Sequence, residues 1–557
     1  MKIKSLAVCT AAVLCAAISS AHGQARITLV NLDKPGIGLN DPTPVTPVGG
    51  NPGKTLGQQR MISYQFAMDL WGALLRSSAE IKVEASFAPL TCTEGRIVLG
   101  QAGAIARIKA SEVAQGGAAD FEYPVALANA LASRDLDPQR NDILTNFSSA
   151  IDTPSCQELG ASGWYYGLAG NKPHNIEDRA NFLNVIMHEI GHGLGASGNS
   201  GFFFNTPIRW SKGPWDGMAW SNLHAMNYND FDVVDARMGV ALITPGETVW
   251  RGGATNRMAA LFADHRQLLR ITSPAAADHD YIPAAFGGED LSPLKGEIVL
   301  LKDAVADGAV DMHTGCNGLE GQPLIANAAA LQGKVVLIDR GVCEFSAKAL
   351  NAQNLGALAV ILANNVPGAT LNAGGGTMGH KVTIPVVTVT QEVGSMLRGD
   401  APVVTAGLVE DPTRFYGLDS GGSMRLFTPN PYQAGSSFSH VDSDMTPNFL
   451  MEPAETKTLR ADVMIDVALE MFEEMGWPTN RNGTAKLGNC DTSIPVYRDS
   501  FIPGANLIAQ SNLCRSSAAG NRSQQLRCMN DHISSLHAQS LITSLEVAKA
   551  RQCAAKL

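Results

Sequence analysis

The sequence predicts an α+β protein that is split by a second, α/β unit and finished by a small disulfide-bonded helical tail. Three observations carry this. A stretch with helical apolar spacing holds two histidines four residues apart, the span 286–408 changes to short aliphatic strands alternating with a helix, and 479–557 holds four cysteines and an amphipathic run. The chain thus divides into 1–23, 24–285, 286–408, 409–478 and 479–557. Its 557 residues suffice for roughly two to four folded units. With 45% hydrophobic and 17% charged residues, the composition is that of a folded chain, not a disordered one. A net charge of −10 argues against the basic face that nucleic acid or an anionic membrane requires, so neither is expected as a partner.

Residues 1–23 have the layout of an export signal: Lys2 and Lys4, an apolar stretch over 6–18, and Ala21-His22-Gly23 as a small-x-small cleavage site. No later segment is long and apolar enough to anchor the chain, so the expected destination is extracellular or periplasmic, with no membrane anchor. In that compartment cysteines pair. Cys9 and Cys15 leave with the signal, and none of the remaining eight shows Cys-x-x-Cys spacing. Their clustering pairs Cys92 with Cys156 and Cys316 with Cys343, and leaves the pairing among Cys490, Cys514, Cys528 and Cys553 open.

The span 24–53 is rich in Pro, Gly, Asn and Asp, with one strand-like run over 27–30. A helix follows over 58–75, its apolar face formed by Ile62, Phe66, Leu70 and Leu74. Alternation over 81–85 reads as a strand. The next helix, over 175–194, has Phe182, Leu183, Val185, Ile186 and Ile190 on its apolar faces and stops at Gly193 and Gly195. Within 286–408 the strands are 296–300, 334–338 and 358–362, with a helix over 345–355. A helix over 458–474 is closed by Gly476-Trp477-Pro478, and one amphipathic helix is expected over 523–550.

The helix over 175–194 contains His188-Glu189-Ile190-Gly191-His192. Histidines four apart on a helix lie one turn from each other on one face, so both imidazoles can reach one metal ion. Glu189, beside the first histidine, is placed to take a proton from water without joining the ligand set. A catalytic zinc takes three protein ligands and keeps one open position. Thermolysin-like enzymes take a Glu from a following helix, but none occurs between His192 and Glu247. The run resembles the metzincin pattern His-Glu-x-x-His-x-x-Gly-x-x-His through Gly195 but has Gly198 in its last place, so the third ligand is expected from elsewhere. His224 is one candidate.

Ser436-Ser437-Phe438-Ser439-His440-Val441-Asp442, with Asn448-Phe449-Leu450-Met451-Glu452-Pro453 after it, resembles the second signature of leishmanolysin-type metzincin metallopeptidases. The resemblance implies a metzincin-like zinc protease domain in two parts, 24–285 and 409–478, with His440 as third ligand and Met451 as the residue of a turn that lies beneath the metal. The separation of 248 residues between His192 and His440 is long for that family, because the α/β unit lies within it.

Gly333-Lys334-Val335-Val336-Leu337-Ile338-Asp339-Arg340-Gly341-Val342-Cys343-Glu344-Phe345 and Ile384-Pro385-Val386-Val387 resemble the protease-associated, or PA, domain. This resemblance implies substrate selection or protein contact, a disulfide between Cys316 and Cys343, and a structural role for Asp339-Arg340. The loop Asn227-Tyr228-Asn229-Asp230-Phe231-Asp232 resembles a calcium loop loosely, without its glycine or terminal Glu. The expected function is therefore zinc-dependent endopeptidase action on proteins or peptides, with His188, His192 and His440 holding zinc, Glu189 as general base, and calcium as a second candidate cation. A zinc aminopeptidase and a catalytically inactive protein-binding scaffold are the alternatives.

Overall fold

The computed structural model describes residues 23–557 except 94–95, 171–178, 273–275, 305–311, 318–320, 369, 372, 399–403 and 456–457. The export signal, but for its last residue, and the start of the expected 175–194 helix lie outside the described residues.

Four strands open the fold: β1 (Ile27–Asn31), β2 (Ile81–Ala88), β3 (Gly100–Ala104) and β4 (Ile143–Ser148). They form one sheet in the order β1-β2-β4-β3, parallel except for β3, which runs antiparallel to β4 at the edge. The alternation seen from 81 onward continues through Ala88, with inward and outward residues taking turns along the strand. Helix α1 (Leu56–Leu74) starts where Thr55 Oγ1 accepts from Gln58 N–H at 3.2 Å. Helix α2 (Phe182–Leu194) carries the histidine pair and starts where Asn181 Oδ1 accepts from Leu183 N–H at 3.0 Å. It ends at Gly195, whose φ of 125° suits glycine alone. Trp71 Nε1–H donates to Met187 O at 3.1 Å, which ties α1 to α2. A short helix, α3 (Pro214–Met218), follows further on. One continuous apolar core joins β1, β2, β4, α1 and α2 to residues as distant as Phe472 and Ala509. The two halves expected of the split domain therefore share a single interior.

The inserted unit is one eight-stranded sheet: β5 (His265–Ile271), β6 (Ala277–His279), β7 (Ile282–Pro283), β8 (Gly296–Leu300), β9 (Val335–Asp339), β10 (Ala359–Ala363), β11 (Val386–Val389) and β12 (Thr405–Phe415). Its order is β6-β5-β12-β8-β9-β10-β11-β7, and helix α4 (Phe345–Asn354) packs with it. The sheet reaches beyond the expected 286–408 at both ends. β5 and β12 pair with each other, Leu269 opposite Leu408, and His265-Arg266-Gln267 has no clean alternation to announce a strand. Two apolar cores, one on each face, belong to this unit and are separate from the core shared by α1 and α2. Cys316 pairs with Cys343 here, and Cys92 with Cys156 in the first unit, as expected. Asp339 pairs with Arg398 rather than with its neighbour Arg340, which donates to Asn364.

The expected helix over 458–474 is shorter: α5 covers Ala468–Glu474. Upstream of it, Asp466 has φ of 41° and its carboxylate accepts from Leu450 N–H and Val467 N–H, so the backbone there serves a turn and not a helix. The tail is a hairpin, β13 (Thr484–Leu487) with β14 (Cys490–Pro495), and three helices, α6 (Pro503–Ser517), α7 (Arg522–Ala538) and α8 (Ser544–Ala554). The single helix expected over 523–550 is broken at Ser540, which has φ of 61°, and a capping box of Thr543 and Glu546 restarts it as α8. Cys490 pairs with Cys553 and Cys514 with Cys528.

Candidate metal centre

His188 and His192 project from α2, and His440 reaches them from the loop that follows the inserted sheet. Among the described residues, these three form the only group of His, Cys, Asp or Glu placed to hold a metal. Their Nε2 atoms make a triangle: 2.9 Å from His188 to His192, 3.0 Å from His192 to His440, and 3.3 Å from His440 to His188.

Each ring is held from behind by a backbone carbonyl. His188 Nδ1 lies 2.6 Å from Leu450 O, His192 Nδ1 lies 2.5 Å from Ala196 O, and His440 Nδ1 lies 2.7 Å from Ser436 O. A carbonyl only accepts, so each Nδ1 carries the proton and each Nε2 presents a bare lone pair. Burial reinforces this by disfavouring the charged rings: it lowers His188 to about 4 and His440 to about 3, and holds His192 well below its ordinary value. Three lone pairs facing one another at 2.9–3.3 Å cannot hydrogen-bond among themselves, and a cation among them removes the repulsion. A tetrahedral ion bound at about 2.0–2.1 Å would space its nitrogens by about 3.3–3.4 Å, so the triangle fits with small adjustment. Neutral imidazoles suit zinc and other transition metals, whereas calcium takes oxygen ligands.

Glu189 is 5% exposed, and burial raises its carboxyl to about 8. Its Oε1 faces edge strand β3 at Gly100, where an added Cβ would come within 2.5 Å of it. Met451 is buried, with its Sδ under Gly191, in the turn of α2 between the two histidines; a Cβ at Gly191 would lie 2.8 Å from the sulfur. The turn holding Met451 braces both sides of the centre. Leu450 O orients His188, and Met451 O accepts from Val441 N–H, next to His440, at 2.8 Å. Two buried carboxyls fix the turn in place: Glu452 accepts from Phe449 N–H at 2.5 Å and Asp466 accepts from Leu450 N–H at 2.6 Å.

His224 is outside the group, with its ring edge-on to Phe231 at 6.1 Å. The calcium expectation is not supported. The Asn227 side chain is taken up by Gly217 O, Ala219 O and Asn229 N–H, and that of Asn229 by Gly213 N–H and O. Reading the sequence missed the three orienting carbonyls and Gly100. Ala196 and Ser436 each lie four residues from the histidine they orient, a spacing that could have suggested them.

A family profile described as the PA domain matches residues 267–397, so the inserted sheet is a PA domain. A probable lipoprotein aminopeptidase of Mycobacterium tuberculosis is 42% identical over 87 residues, 15% of this chain and 17% of that protein. Leucine aminopeptidase 2 of Trichophyton rubrum is 34% identical over 106 residues, 19% of each chain. Among solved structures, a zinc aminopeptidase from Bacillus subtilis overlaps 29% of this chain and 36% of its own at 21% identity, with a TM-score of 0.18. This chain thus spans less than a fifth of the length of those two relatives. No described helix is long and apolar enough to cross a membrane.

Proposed function

We propose that this chain is a zinc-dependent peptidase that cleaves internal bonds of extended polypeptides outside the cytoplasm. The observation that carries the reading is the triangle of bare Nε2 atoms with a buried carboxyl next to it in sequence. His188, His192 and His440 hold the ion, and zinc bound there would supply Lewis acidity towards a peptide carbonyl and towards water. A nearby dication favours the ionised form of Glu189 and so opposes the effect of burial. Glu189 then takes a proton from water as the water oxygen bonds to the carbonyl carbon. It delivers that proton to the amine nitrogen as the carbon–nitrogen bond breaks. Met451 supports the histidines from beneath without ligating. The PA domain contacts substrate or partner proteins.

Internal cleavage is favoured by β3. Its inner edge pairs with β4, no other strand among the described residues pairs with it, and it lies against Glu189, so a substrate strand can lie along that outer edge and continue on both sides of the reacting bond. Aminopeptidase action is the second reading, and the names of the relatives favour it. The partial match leaves more than four fifths of those proteins without a counterpart here. The distinguishing experiment measures hydrolysis of casein, of a peptide blocked at both ends, and of an aminoacyl reporter, each with and without chelator. Chelator-sensitive cleavage of the blocked peptide supports the first reading. Cleavage of the reporter alone supports the second, and chelator-insensitive cleavage sinks both.

A further inference from the structure

His440 comes from a loop, and a loop does not by itself hold an imidazole to a fraction of an ångström. Helix α3 sits behind that loop, and two of its side chains are buried: Trp215 is 1% exposed and Asp216 0%. Trp215 Nε1–H donates to Phe438 O at 2.8 Å, two residues before His440. Asp216 accepts from Asn199 N–H at 2.7 Å and from Ser200 Oγ–H at 2.6 Å, which fixes the chain just beyond the end of α2. Between these two anchors, Gly198 N–H donates to Ser439 Oγ at 3.1 Å. The segment leaving His192 and the segment arriving at His440 are therefore stitched together, and each is fastened to α3.

Phe438 shows how firmly the loop is determined. Its φ of 69° lies in the left-handed region that a phenylalanine adopts only where its surroundings impose it. Its ring lies 4.3 Å from that of Tyr228 and covers Gly198, and its N–H donates to Phe427 O at 2.7 Å. Trp215 holds the carbonyl of this same strained residue.

We infer that Trp215 and Asp216 are positioning residues of the metal centre, acting through Phe438 and through Asn199 and Ser200 to set His440 against the α2 pair. This rests on the metal-centre reading above. The test measures zinc and cobalt affinity by competition with a chromophoric chelator, and the visible absorption of the cobalt form, in the full chain. Trp215→Phe removes the indole N–H and keeps an aromatic ring, and Asp216→Asn removes one acceptor. Both are expected to weaken zinc about 10-fold, in the range seen for groups that orient ligands, and to shift the cobalt bands. Trp250→Phe is the control. Trp250 is equally buried, its ring is 5.0 Å from that of Trp215, and its N–H donates instead to Glu474 at 2.8 Å, so its loss leaves affinity and bands unchanged. A metal-free measurement runs beside it: nitrogen-15 spectra of labelled histidines report whether the His440 proton stays on Nδ1. Wild type keeps one tautomer, and Trp215→Phe mixes the two. The inference is overturned if Trp215→Phe matches wild type in affinity and tautomer, or if Trp250→Phe changes them equally. A wild type that binds zinc and cleaves nothing removes the peptidase reading and leaves this inference standing.

Discussion

The body that holds the histidine triangle and the inserted PA sheet differ in what they bury. Among the described residues, the body buries Asp142, Glu189, His192, Asp216, His440, Glu452, Asp466 and Glu470, many of them beside the metal centre or the turn beneath it. The sheet's strands bury chiefly Val, Leu, Ile and Ala, and its buried charged side chains are Asp303 and Lys348. Burying an ionisable group costs free energy unless partners compensate, so a concentration of such groups marks where geometry and chemistry take precedence over packing. The body concentrates its buried ionisable groups around the histidine triangle, and the sheet is built mainly from apolar packing.

That contrast is broken or sharpened by four measurements, of decreasing effect. Removing a ligand is the largest. His440→Ala and His188→Ala are each expected to weaken zinc by more than about 100-fold, beyond what changes behind the ligands cause, while His224→Ala leaves affinity unchanged. Equilibrium dialysis with metal analysis reads this, and a strong loss in His224→Ala would misplace the third ligand. Next, Glu189→Gln keeps zinc bound and lowers peptide hydrolysis by about 10²–10⁴. Activity near that of wild type would remove the general-base role.

The third measurement addresses the sheet. Lys348 is buried and donates to Thr314 O and Gly341 O, both at 2.6 Å, and burial lowers its ammonium to about 8. Lys348→Met leaves Thr314 O without a donor and Gly341 O with Cys343 N–H alone, at a cost of about 1–3 kcal/mol. Calorimetry is expected to show an earlier transition for the sheet with unaltered zinc affinity. A simultaneous loss of zinc would mean that the two regions are not independent.

The smallest effect is one of pH. Asp142 accepts from Lys82 N–H and from Asn129 Nδ2–H, each at 2.8 Å, and burial raises its carboxyl from 3.8 to about 6. Between those two values the folded chain keeps a proton that the unfolded chain has released, so its contribution to stability is complete below about 3.8 and is lost as pH rises through about 6. Asp142→Asn removes this slope. Melting temperatures taken across the window should differ in trend by a few degrees, and parallel curves would contradict the shift.

Legibility in the sequence followed the range of the interactions. His188, Glu189 and His192 are read from spacing within one helix, because four residues return a helix to the same face. His440 has no local signature that distinguishes it from His224; only the resemblance of its flanking residues and of the Leu450-Met451-Glu452-Pro453 turn pointed to it. Edge strand β3, Gly100-Gln101-Ala102-Gly103-Ala104, has no β-branched or aromatic residue, so nothing local suggests a strand, and its pairing with β4 creates it. The inner strands of the PA sheet were legible as aliphatic runs, but β5 was not, since its pairing partner β12 lies at the far end of the unit. Cys92–Cys156 and Cys316–Cys343 could be read from clustering, whereas four cysteines in one tail left three pairings open.

The strands through which the chain leaves and rejoins the body are neighbours. His265 stands opposite Phe415 in the β5–β12 ladder, so the inserted unit begins and ends at adjacent points. Once the sheet has formed, the body experiences the whole insertion as a crosslink of hairpin length. The entropy of closing a loop depends on the free chain between its ends, so most of the 248-residue separation between His192 and His440 no longer counts against bringing them together. The body can therefore carry an insertion of this size between His192 and His440. By the same logic, a two-residue turn grafted between His265 and Phe415 should let the body close around its three histidines without the sheet.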